Sequence, residues 1–115
     1  MKSLITVILV VLITNASYAE GALECNVGPI QVSLGNTKWQ LTSCSDNHSL
    51  VFATMQSNPG MPFVFFVQRN GHTSKISGEG NGSKEYSAAA FEELKVMTEI
   101  RFEELVQATK LAGSK

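Results

Sequence analysis

The stretch Met61-Pro62-Phe63-Val64-Phe65-Phe66-Val67-Gln68 decides the fold. It carries apolar residues on both alternating faces, the mark of a central strand covered on both sides. Ser57-Asn58-Pro59-Gly60 before it and Asn70-Gly71 after it are turn signals. Pro62 suits the first position of a strand, where a missing amide proton is tolerated.

Upstream, Ser49–Met55 reads as a strand with Leu50 and Phe52 on one face and Val51, Ala53 and Met55 on the other. Ser45-Asp46-Asn47-His48 is the polar turn before it. Gly28–Leu34 alternates Ile30, Val32 and Leu34 against Gln31 and Ser33, and Gly35-Asn36 offers a two-residue type I′ or II′ turn. Thr37–Cys44 then pairs back. Leu34 meets Thr37, Val32 meets Trp39 and Ile30 meets Leu41, so each apolar side chain finds a same-face partner. Continued, this register leaves Cys25 and Cys44 a diagonal step apart. That is long for a disulfide, and it implies a bulge or frayed end near Asn26–Val27.

Downstream, Asn70-Gly71 as a two-residue turn would pair Phe65 with Ile76, Phe66 with Lys75 and Val67 with Ser74. The fifth strand, His72–Ser77, is mostly polar and reads as an edge. Gly78–Gly82 reads as a flexible link, and helical spacing follows it. Ser83 or Ser87 offers an N-cap. Ala90, Phe91, Leu94 and Met97 form one apolar stripe, and Phe102, Leu105, Val106 and Thr109 form another out of phase with it. Thr98 fits as the cap of a second helix, with Glu99 in its first turn. The expectation is an α+β fold: a five-stranded antiparallel meander packed by two C-terminal helices, with one disulfide. The rival reading makes Glu99–Phe102 a sixth strand.

Residues 1–19 read as an export leader. Lys2 gives a short positive start, Leu4–Thr14 is apolar, and Ser17-Tyr18-Ala19 is a small-x-small cleavage site. The apolar run falls short of the roughly 18 residues a membrane span needs. Residues 20–115 then form a single exported domain, periplasmic or secreted, with no stable membrane span after cleavage. Its two cysteines, Cys25 and Cys44, are expected to pair in an oxidising compartment. A formal net charge of −1 and the lack of a basic stripe argue against nucleic acid as a partner.

Few residues suggest chemistry. Asp46, His48 and Ser49 contain the groups of a base, its orienter and a nucleophile, but catalysis needs them to converge in space. His48 reads as a turn residue and His72 as a surface residue. Glu92-Glu93 and Glu103-Glu104 are solvated pairs, since neighbours on a helix diverge. Gly78–Gly82 lacks the ending of a phosphate loop. Calcium binding by Asp46, Asn47, Glu79 and Asn81 would need two loops to meet. No metal and no cofactor is expected. Asn47-His48-Ser49 and Asn81-Gly82-Ser83 match the glycosylation sequon and fall in predicted loops. The short leader with a single Lys looks bacterial, so both are expected to stay unmodified.

The functional reading is a small exported non-enzymatic binding protein, of inhibitor or immunity type, with an exported protein as partner. Pro59, Met61 and Pro62, beside a rigid turn, are its candidate contact residues. The alternative is a carrier for a small apolar ligand, its pocket lined by Phe52, Phe63, Phe66 and Leu94 between sheet and helices. A small hydrolase using His48 or His72 is the third reading.

Overall fold

A computed structural model describes residues 23–113; the predicted leader lies outside them. Five strands, β1 (Val27–Leu34), β2 (Thr37–Ser43), β3 (Leu50–Thr54), β4 (Phe63–Arg69) and β5 (Ser74–Gly80), precede two helices, α1 (Lys84–Lys95) and α2 (Glu99–Gly113). The strands form one antiparallel meander in the order β1-β2-β3-β4-β5. The α+β architecture expected from the sequence is the one observed.

The first hairpin has the expected register: Leu34 opposes Thr37, Val32 opposes Trp39 and Ile30 opposes Leu41. Gly35 and Asn36 both have positive φ, 56° and 64°, as a type I′ turn requires. The expected irregularity is present as a register shift between Val27 and Ile30, at Gly28 with φ 112°. Cys25 and Cys44 are joined by a disulfide beside it.

One face of the sheet meets the helices. Leu34, Trp39, Leu41, Leu50, Phe52, Phe65 and Val67 are buried there against Ala90, Leu94, Phe102, Leu105 and Val106. The indole Nε1 of Trp39 donates to Leu34 O at 3.1 Å, so the largest core side chain leaves no unpaired donor. The helices divide where the apolar stripe changes phase. Thr98 caps α2, its Oγ1 accepting from Arg101 N at 3.1 Å. Residues 99–102 are therefore helical.

Two expectations fail. The second hairpin is shifted by two residues: Phe65 opposes Gly78, Phe66 opposes Ser77 and Val67 opposes Ile76. The cause is Asn70. Its Oδ1 accepts from His72 N at 2.9 Å and Thr73 N at 3.0 Å, which makes residues 70–73 a four-residue loop. Gly78, Glu79 and Gly80 consequently belong to β5 and not to a link. The second failure concerns β4, which is covered on one side only among the described residues. Phe65 and Val67 are buried, whereas Val64 and Phe66 on the other face stay partly exposed. Both helices direct their apolar stripes into the same core, α2 mainly along β1, and no described element remains to form a second layer.

Candidate functional site

The uncovered sheet face has an apolar centre. The registers place Val51 opposite Phe66 and Ala53 opposite Val64, a block of four side chains on two central strands. Thr42 and Gln40 flank it on β2, and Ser77 and Glu79 flank it on β5. The four are partly and not fully buried, because they shield one another without a layer above them. A cleft of about 350 Å³ lies along Val64, Phe66, Ser77, Gly78 and Glu79.

The block ends at the turn that holds the sequence-predicted contact residues. Pro59, Met61 and Pro62 are all exposed, Met61 at 46%. Asn58 fixes this turn from beneath: its Nδ2 donates to Lys38 O at 2.9 Å and its Oδ1 accepts from Gly60 N at 2.8 Å. Gly60 is buried beside Tyr86, and Gly82 N donates to Pro62 O at 2.9 Å. A β-carbon on Gly82 would overlap the Gly60 carbonyl. The turn is thus docked on the start of α1 while its apolar residues face solvent.

The carrier pocket expected from the sequence does not assemble. Phe52 and Leu94 are core residues, while Phe66 lies on the opposite face of the sheet. Phe63 packs at the margin of the core, its ring centroid 4.9 Å from that of Phe65. Trp39, Phe65 and Phe102 fill the space between sheet and helices.

Asp46, His48 and Ser49 do come together, in a structural arrangement. Asp46 Oδ1 accepts from the amides of His48 at 2.9 Å and Ser49 at 2.8 Å. Ser49 Oγ donates to Asp46 Oδ2 at 2.6 Å, and the buried hydroxyl also accepts from Arg69 N at 3.1 Å. The hydroxyl is therefore bonded to the acid and not to an imidazole. Burial raises the Asp46 pKa, but bonds from the Ser49 hydroxyl and the two amides outweigh it and hold the group below the usual aspartate range. His48 Nδ1 is buried without a hydrogen-bond partner, its ring lying beside Gly71. His72 is exposed on the β4–β5 loop.

Arg69 escaped notice in the sequence because it ends an apolar strand. Its side chain is only 1% exposed. Nη1 donates to His48 O at 2.8 Å, Nη2 to Glu99 Oε1 at 3.1 Å, and the guanidinium lies 5.3 Å from the Phe102 ring centroid. Glu103 adds a longer ion pair at 3.5 Å. Ser74 Oγ donates to Glu99 Oε2 at 2.6 Å. The Ser74 hydroxyl, together with Arg69, holds the Glu99 carboxyl below the usual glutamate range. This knot ties the β2–β3 turn, the end of β4 and the start of α2.

Asp46 and Asn47 lie at one end of the sheet, and Glu79 and Asn81 at the other, so the calcium loops do not meet. Among the described residues no group of three or more His, Cys, Asp or Glu is placed to hold a metal ion. Both sequon asparagines, Asn47 and Asn81, are exposed. No described helix is long and apolar enough to cross a membrane. Comparisons with protein-family models, with curated proteins and with solved structures find no match to this chain.

Proposed function

We propose that the chain is a small exported binding module without catalytic activity, acting on an exported protein in the manner of an inhibitor or immunity protein. Its contact surface is the open sheet face of Val51, Ala53, Val64 and Phe66, extended by Pro59, Met61 and Pro62. The observation that carries the proposal is this apolar block on a face that no described element covers. Large contiguous apolar patches left open on a domain surface mark interaction sites. The docked turn adds preorganisation, which lowers the entropic cost of binding. Export to the periplasm or beyond rests on the leader sequence, and the disulfide suits an oxidising compartment.

The test uses the mature chain, residues 20–115, immobilised and exposed to the exported fraction of its source. Wild type should retain a partner. Phe66→Glu, checked for folding by circular dichroism, should lose it, whereas Ile100→Glu on an exposed helical position should keep it. Equal retention by all three, or none by wild type, would overturn the assignment.

A further inference from the structure

The sheet has two edges. β1 has α2 packed along it. Among the described residues β5 has no comparable cover, and its hydrogen bond to α2 is at its first residue, Ser74. It contains no proline and is exposed at Lys75, Ser77, Gly78, Glu79 and Gly80. Such an edge is a template for another strand unless something blunts it.

The backbone fixes which residues can pair outward. Phe63 exchanges hydrogen bonds with the Thr54 side chain on the β3 side, and Asn70 N donates to Thr73 O on the β5 side. Alternation along the ladder then turns the N–H and C=O of Ser74, Ile76, Gly78 and Gly80 away from β4. An added antiparallel strand must offer its own outward residues to these.

A second copy of β5 does so in a register centred on Ser77. Ile76 then faces Gly78 of the second copy, and Ser74 faces its Gly80, as hydrogen-bonded pairs. Lys75 faces Glu79 of the second copy, and two-fold symmetry repeats the pair. Both fall at non-hydrogen-bonded positions, where the Cα atoms approach to about 4.5 Å. A register shifted by two residues either way loses both contacts, setting Lys75 against Ser77 or Asn81. Among the described residues neither Lys75 nor Glu79 has an ion-pair partner within the chain. On the core side, the Phe63 and Phe65 rings lie over Gly78, where a β-carbon would come within 2.8 Å of both. The Ile76 side chain of the second copy would abut these rings.

We infer that the protein forms a two-fold symmetric dimer by antiparallel pairing of β5 with β5, joining two five-stranded sheets into one. Charge complementarity selects the register, and the open apolar faces of the two copies become a single surface. The inference stands apart from the proposed partner, since it needs only the purified chain.

Sedimentation equilibrium of the oxidised mature protein, from micromolar to millimolar concentration, tests it. Wild type should dimerise. Lys75→Glu and Glu79→Lys should each weaken the dimer about ten- to a hundredfold, by setting like charges opposite one another twice. The double variant K75E/E79K should restore wild-type association. Both positions are exposed, and thermal melts confirm that each variant folds. A wild-type monomer at millimolar concentration, a dimer indifferent to the single reversals, or a double variant that fails to recover would each overturn the inference.

Discussion

Asn58 shows how much of the candidate surface depends on a residue that is itself hidden from solvent. The sequence presents it as one member of a turn signal. The fold buries it at 3% exposure and uses both ends of its amide to tie the Pro59–Pro62 turn to β2. Asn58→Ala should cost about 1–3 kcal/mol, since Lys38 O and Gly60 N would lose their partner. Urea melts measure the loss, and one below about 0.5 kcal/mol would mean the turn holds itself. Gly78 teaches the complementary lesson. In composition Gly78–Gly82 resembles a link, but a residue without a side chain is what two phenyl rings need beneath them. Nothing local in the sequence tells a glycine that yields space from one that yields flexibility.

At the level of elements, legibility followed redundancy. The β1–β2 hairpin could be read because turn chemistry and apolar pairing agreed independently on one register. The β4–β5 hairpin could not, because a shift of two residues keeps every side chain on its face. Only the Asn70 side chain separates a two-residue turn from a four-residue loop. The helix break was legible from stripe phase, and Thr98→Ala should cost about 1 kcal/mol through the lost cap. A neutral or stabilising effect in denaturant melts would assign the break to something other than the cap. Glu99, just inside that cap, anchors α2 to the sheet. Its folded carboxyl binds a proton less readily than the unfolded one. Its contribution is therefore complete above the ordinary glutamate pKa of about 4.3 and is lost as the pH falls through the lower folded value. Glu99→Gln should cost about 1–2 kcal/mol at pH 7, discounted for the partial exposure of the carboxylate. Melts repeated at decreasing pH should show the two proteins converging below about pH 4. A gap independent of pH would contradict the assignment.

Over the whole molecule, the export reading and the fold meet at the disulfide. Unreduced folded protein should yield no alkylatable thiol by mass spectrometry, and reduction should lower stability by about 3 kcal/mol. Two free thiols in the native protein would refute the pairing. The candidate contact surface was half legible. Pro59, Met61 and Pro62 stand out as apolar residues in a turn, and the structure exposes all three. The sheet face did not stand out. A strand apolar on both sides reads the same whether a second layer belongs to its own chain or to another molecule.

The packing of α2 along β1 also sets a timetable. A chain made from its N-terminus delivers β1 before any other described element and the cover for β1 last. The Cys25–Cys44 loop can close as soon as Cys44 emerges, long before that cover arrives. Gly113, at the far end of α2, finally lies against Gly28. Until then the apolar side of the nascent sheet is covered only by α1, and a chain halted short of α2 would be a cross-linked five-stranded sheet with part of its core face open to proteases or chaperones.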